Sequence, residues 1–233
     1  MLPSAIAIDG PAASGKTTLA IKLAQHLDYL YFDTGVMYRG ITLIALAGGA
    51  TLPDESHCVA LAESSHIDVR PPSLEDGRLF DVLINGEDHT LNIRLPEVDA
   101  NVSVVSAYAG VRKALTEQQR RIGRQGRVVM VGRDIGTVVL PEADFKIFLD
   151  ASVEERARRR YLECIQRGDE IDFDTVLASM KNRDTIDSNR TVAPLKPAAD
   201  AFRINSDGKT AEQIFSQVVV MLEKQQPENS ELS

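Results

Sequence analysis

The chain has 233 residues, 43% of them hydrophobic and 26% charged, an ordinary balance for one soluble core with room for an inserted subdomain. A formal net charge of −8 argues against a general nucleic-acid binder, because phosphate backbones attract basic surfaces. No apolar run approaches the roughly 20 residues of a membrane helix, no basic region precedes an apolar N-terminal segment, and Cys58 and Cys164 are too few for a disulfide framework. The expectation is a cytoplasmic, monomeric protein with reduced thiols that engages neither membrane nor nucleic acid. His26, His57, His66 and His89 are scattered without metal-ligand spacing.

Ala5-Ile6-Ala7-Ile8 is a short apolar run of buried-strand character. Gly10-Pro11-Ala12-Ala13-Ser14-Gly15-Lys16-Thr17 follows, with Thr18 beside it, and fits the phosphate-cradling pattern G-x-x-x-x-G-K-S/T at every fixed position. Leu19, Leu23 and Leu27 then recur at helical spacing, with Ala20 and Ala24 on the same side. Strand, small-residue turn and helix in that order aim backbone N–H groups and the positive helix end at bound phosphate. Lys16 is placed to reach the β- and γ-phosphates of a nucleoside triphosphate, and the Thr17 hydroxyl to ligand Mg²⁺.

Tyr29 to Phe32 reads as a second strand closing on Asp33-Thr34-Gly35, and residues 36–47 as a helix ended by Gly48-Gly49. Pro53-Asp54-Glu55 opens another helix, running to about Ser65. Between His66 and His89 the character changes: Ile67-Asp68-Val69 and Phe80 to Ile84 read as strands, and Asn85-Gly86 is a strong hairpin signal. A helical stretch carrying Val111 and Leu115 leads to Arg127. Val128 to Val131 and Phe145 to Asp150 are buried-strand candidates, and Ser152-Val153-Glu154-Glu155 has the form of a capping box. Helical pattern continues to about Asn189, interrupted near Gly168; a last strand at Phe202 to Asn205 precedes a second capping box, Thr210 to Gln213, and a final helix. Residues from about Gln225 onward are polar and read as a frayed tail.

Five strands alternating with helices predict an α/β fold: a parallel sheet with helices on both faces, carrying an insertion of short antiparallel strands. Ligands of such sheets bind beyond the carboxyl ends of the strands, where Asp33, Arg133, Asp134 and the phosphate loop should converge. No N-K-x-D motif marks a guanine-nucleotide switch. Arginines stand instead in unusual places, including Arg39, Arg112, Arg133, Arg183 and Arg190. Phosphoryl transfer needs phosphates held in line and their charge neutralised, which guanidinium forks do well. Arg156, Arg159 and Arg160 share one helical face; such a run also suits a solvated helix side, but its position after the fourth strand suits a lid over phosphates. The pattern points to a kinase for a small phosphorylated acceptor, with a slowly hydrolysing ATP switch as the rival of another class.

The chain resembles the bacterial cytidylate kinases, nucleoside monophosphate kinases of the P-loop kind. The resemblance lies in Ile8-Asp9-Gly10-Pro11, Asp33-Thr34-Gly35-Val36-Met37-Tyr38-Arg39, Gly132-Arg133-Asp134-Ile135-Gly136-Thr137-Val138-Val139 and Lys146 to Ala151. It continues in Arg183-Asp184, Asp187, Asn189, Arg190 and Val192-Ala193-Pro194-Leu195. It departs mildly where Thr34 stands for a common serine and where Ala13-Ser14 replaces a common glycine. The resemblance implies ATP on Gly10 to Thr18, with Mg²⁺ at Thr17, and CMP or dCMP as acceptor. It implies Thr34, Tyr38 and Arg39 on the acceptor side, Arg39 and Arg133 at the CMP phosphate, and Ser103, Arg112 and Asp134 at cytosine. Arg183 and Asp187 are implied at the sugar hydroxyls, and Arg190 with Arg159 and Arg160 at the transferring group, alongside Lys16 and Arg133. One kinase domain is expected over 1–225, with its core at 1–32, 96–150 and 190–225, an acceptor-binding region at 33–95, a lid at about 152–189 and a tail at 226–233. A kinase for UMP, AMP or shikimate is the nearest alternative.

Overall fold

The computed structural model describes residues 2–47 and 54–225. Gly48-Gly49, Pro53 and the tail at 226–233 lie outside the described residues. Strand β1 (Ala5–Asp9) leads through the phosphate loop into helix α1 (Lys16–Leu27), and β2 (Leu30–Asp33) into α2 (Gly35–Leu46). Helix α3 (Glu55–Ser64) starts where Asp54 accepts the His57 N–H at 3.1 Å. The insertion then folds as a separate antiparallel sheet of β3 (Ile67–Arg70), β4 (Asp81–Ile84) and β5 (Glu87–Asp88). Asn85 (φ 53°) and Gly86 (φ 90°) turn β4 into β5, both in the left-handed region that this two-residue hairpin demands.

The helical stretch expected before Arg127 is two helices, α4 (Pro96–Val105) and α5 (Ala109–Gly123). Pro96 stands at the first position of α4, where its missing N–H costs nothing, and Gly126 and Arg127, both at positive φ, prevent α5 from continuing. Strand β6 (Val128–Gly132), a single π-helical turn (Ile135–Val139) and β7 (Phe145–Asp150) follow. Next come α6 (Val153–Arg167), α7 (Phe173–Asn189), β8 (Phe202–Asn205) and α8 (Ala211–Gln225).

The main sheet runs β2-β6-β1-β7-β8, every pairing parallel, with Ile6 opposite both Val129 and Phe145. All residues of β1 and β6 are buried, so helices cover both faces, as a parallel sheet requires. Removing each large core chain such as Ile6, Ile8, Phe32 or Phe145 from water contributes about 1.5–3 kcal/mol.

The two capping boxes differ. At α8 both halves form: Thr210 N–H donates to Gln213 Oε1 and Gln213 N–H to Thr210 Oγ1. At α6 only one does: Ser152 Oγ accepts the Glu155 N–H, but the Ser152 N–H goes to Asp207 because Glu155 is spent on Arg158 and Arg159. Gly168 (φ 85°) ends α6, and α6 and α7 pair into a hairpin around Ala157, Val176 and Met180. Ala12 and Ala13 of the phosphate loop pack against that small core, so loop and hairpin share a boundary.

Candidate active site

The phosphate loop leaves β1 through Gly10 (φ 148°), where a Cβ would sit 2.0 Å from the Leu149 carbonyl oxygen, so only glycine fits. Ala13 holds φ 58°, a left-handed position that an alanine occupies at a cost of about 1 kcal/mol relative to glycine. Lys16 folds back over the loop, its Nζ donating to the Pro11 carbonyl and, at 3.3 Å, to Ser14 Oγ. Burial, then the Arg133 charge, pushes the Lys16 ammonium well below its ordinary pKa, with Arg183 adding and Asp33 and Asp9 opposing. Such crowding of cations in a dry place is relieved by an anion. Thr17 is exposed at the start of α1. A cleft of about 170 Å³ opens beside the loop, bounded by Gly15, Thr18, Arg159, Ser206, Lys209 and Ile214.

Across the sheet the end of β6 meets α5. Arg112 and Asp134 form a buried pair at 2.7 Å, and Arg112 also donates to the Ser106 carbonyl at 3.1 Å. Among the described residues Arg112 Nε, Asp134 Oδ2 and Arg190 Nη2 have no hydrogen-bond partner, and the Gln119 amide lies beside the Tyr38 hydroxyl. Donors and an acceptor left open in one buried place are what a flat polar ligand would complete. Tyr38 puts its ring 5.3 Å from the Arg112 guanidinium. Ser103 lies one turn before Ser106 in α4, its carbonyl accepting from Ser106 Oγ at 3.0 Å. The Thr34 hydroxyl donates to the Val131 carbonyl at 2.9 Å, so its proton is spent on β6.

Between loop and pair lies a second cluster of arginines. Arg133 Nε donates to Asp187 Oδ2 at 2.8 Å, and burial notwithstanding, Arg133, Arg190 and Arg183 hold the Asp187 carboxyl below its usual range. Burial first, then Arg133, brings Arg183 down to about 10, with Arg39 and Arg160 pressing the same way. Arg39 is tied to Asp99 at 2.6 Å and to the Ile93 carbonyl.

The arginines of α6 are not equivalent. Arg156 is a buried clamp, forked onto Asp184 at 3.0 and 2.5 Å and donating to the Ala12 carbonyl. Arg159 is held by Glu155 and by the Ser206 hydroxyl and carbonyl, while Arg160 leans on Glu163. Arg190 caps α7, bonds the Asp187 carbonyl and lies within electrostatic reach of Arg112, Asp187, Asp134 and Tyr38. Asp9, Asp184 and Ser206 also belong to this region; Asp9 and Asp184 stand in the resembling motifs but received no role from the sequence, since all three make their side-chain partners far along the chain. For Asp9 and Asp184 those motifs were the one available signal.

The family model described as cytidylate kinase matches residues 6–224. A cytidylate kinase of Herpetosiphon aurantiacus is 49% identical over 220 residues, covering 94% of each chain. One from Chloroflexus aggregans is 49% identical over 209 residues, 90% of this chain and 89% of its own, and one from a Geobacillus strain is 47% identical over 214 residues, 92% and 94%. The matched span takes in the phosphate loop, the Arg112–Asp134 pair and the α6–α7 hairpin, and the chain belongs to the cytidylate kinase family.

Proposed function

We propose that the cleft transfers the γ-phosphoryl group of ATP to the phosphate of CMP or dCMP, giving ADP and the nucleoside diphosphate. The observation that carries the base assignment is the buried Arg112–Asp134 pair with Arg112 Nε and Asp134 Oδ2 both open. Cytosine offers an N4 amino donor beside N3 and O2 acceptors, so a carboxylate takes the first while Arg112, with Ser103, donates to the others. Assignment of Arg39, Arg133 and Arg183 to the acceptor phosphate and sugar is supported by their mutual electrostatic pressure and by that of Arg133 and Arg183 on Lys16. The acceptor phosphate is already anionic at neutral pH, so no general base is required; catalysis is alignment and charge neutralisation.

Mg²⁺ fits the donor set. Among the described residues no three His, Cys, Asp or Glu side chains gather as a metal site, and Thr17, an exposed residue, offers a single hydroxyl that is shared with Tyr31. An ion that keeps its waters and binds phosphate oxygens needs no more than that from protein. When bound, it supplies neutralisation of phosphate charge. Two free buried cysteines fit a reducing cytoplasm, and no helix among the described residues is long and apolar enough to cross a membrane.

A coupled ADP-release assay across the nucleoside monophosphates tests the reading. CMP and dCMP should exceed UMP by about two orders of magnitude in kcat/KM, since uracil turns the N4 donor into an acceptor and protonates N3. Equal turnover of CMP, UMP and AMP would refute it.

A further inference from the structure

Asp134 stands immediately before the π-helical turn Ile135–Val139, in the cap position where an aspartate ordinarily accepts the first free N–H groups of the turn. It makes no such bond. Its Oδ1 is on Arg112 and its Oδ2 is open and buried. One N–H that its side chain could have capped, that of Gly136, is taken by another residue, together with the Ile135 N–H before it: Ile135 donates to Asp9 Oδ1 at 2.7 Å and Gly136 to Asp9 Oδ2 at 2.8 Å. Asp9 reaches them because it ends β1 directly opposite Gly132 in the parallel ladder. The other end of the turn is held in the same manner, Arg120 of α5 donating to the Val139 and Val138 carbonyls at 3.0 and 2.7 Å. An anion at the N–H end and a cation at the carbonyl end oppose the dipole of the turn, and both come from outside it.

We propose that Asp9 is a positioning residue for the acceptor base: by capping the turn in place of Asp134, it frees the Asp134 carboxylate to face the pocket. The role rests on the assignment of Asp134 to base recognition. Without the Asp9 carboxylate, two buried N–H groups lose their acceptor, and the carboxylate best placed to replace it is that of Asp134. Asp134 rotating inward to cap its own turn would leave Arg112 unpaired and the N4 amino group of cytosine unread. Asp9 would thus act on which base is chosen while touching neither base nor sugar.

The test compares CMP with UMP as acceptors at saturating ATP in the full chain, for the wild type, Asp9→Asn, Asp134→Asn and the double variant. Asn at position 9 keeps the shape but offers one acceptor oxygen, so one N–H is left open. The ratio of kcat/KM values cancels the concentration of folded enzyme, so a variant of reduced stability still reports. The expected result is a CMP/UMP ratio narrowed about fivefold or more by Asp9→Asn, with the double variant no narrower than Asp134→Asn alone, because the two residues act in series. A lowered thermal midpoint with an unchanged ratio would make Asp9 a scaffold residue only. Narrowing in the double variant by the product of the single effects would also overturn the proposal, since Asp9 would then act independently of Asp134. If Asp134→Asn itself leaves the ratio unchanged, the base assignment fails first and takes this role with it.

Discussion

Lys16 concentrates at one residue what the site demands of its cations. Buried and pressed by Arg133 and Arg183, its ammonium gains most from an anion arriving between them. Lys16→Ala should therefore lower kcat by about 10²-fold or more while CMP binding in titration calorimetry stays within about twofold. A variant retaining more than about a tenth of wild-type turnover would remove Lys16 from the transition state. The loop that carries Lys16 was legible because its residues are contiguous and each glycine answers a local steric need. Asp9 and Ser206 were not, because the groups they serve, the Ile135 N–H and the Ser14 carbonyl, lie 126 and 192 residues away. Arg156 was misleading for a different reason: helical spacing groups it with Arg159 and Arg160, whereas its guanidinium is buried on Asp184.

Among elements, the α6–α7 hairpin and the three-stranded insertion are each fastened by a charged clamp. Arg156→Met should cost about 3 kcal/mol in urea unfolding, since it leaves the half-buried Asp184 without its fork. Arg156→Met with Asp184→Leu should recover part of that loss, and a double variant as unstable as the sum of both singles would show that the pair is not coupled. In the insertion, Arg78 gathers Asp76, Asp81 and Asp88 at 2.7–2.9 Å. Thr90 and then Arg78 hold Asp88 below the usual carboxylate range; the Ser73 contact, against some burial, and Arg78 do the same for Asp81, and Arg78 for Asp76. Lowered folded-state values mean that these carboxyls stabilise the fold above the ordinary range, and that the contribution is lost as pH falls from about 4 through those values. Arg78→Gln should lower the melting temperature at pH 7 and flatten its decline in acid; an equally steep acid limb would place the titrating groups elsewhere. The hairpin at Asn85-Gly86 could be read from two residues because both must take positive φ. The break between α4 and α5 could not, since apolar spacing continues across Ser106 to Tyr108 and only packing decides where one helix stops.

Across the whole molecule, a chain of net charge −8 nevertheless gathers cations within electrostatic reach of one another: Arg133, Arg39 and Arg160 press on Arg183, and Arg112 on Arg190. The parallel sheet produces this: all five strands end on one side, so loops distant in sequence bring their charges to one edge. Global and local charge then predict opposite responses to salt. If net charge governed encounter, the dianionic acceptor would be repelled, and screening would raise kcat/KM for CMP. If the arginine-lined cleft governs it, screening weakens the attraction and kcat/KM falls. The Debye length shrinks from about 14 to about 6 Å between roughly 0.05 and 0.3 M monovalent salt, so the distant acidic surface is screened before the contacts inside the cleft. The expected outcome is a decline of about three- to tenfold over that range at saturating Mg-ATP, with the change mostly in KM. Arg183 has a charge partner in Asp187 but no hydrogen bond or ion pair among the described residues, so its field is the least neutralised. Arg183→Ala should both weaken CMP binding and flatten the salt slope. A rate that rose with salt, or a slope indifferent to Arg183, would mean that the surface rather than the cleft steers the acceptor.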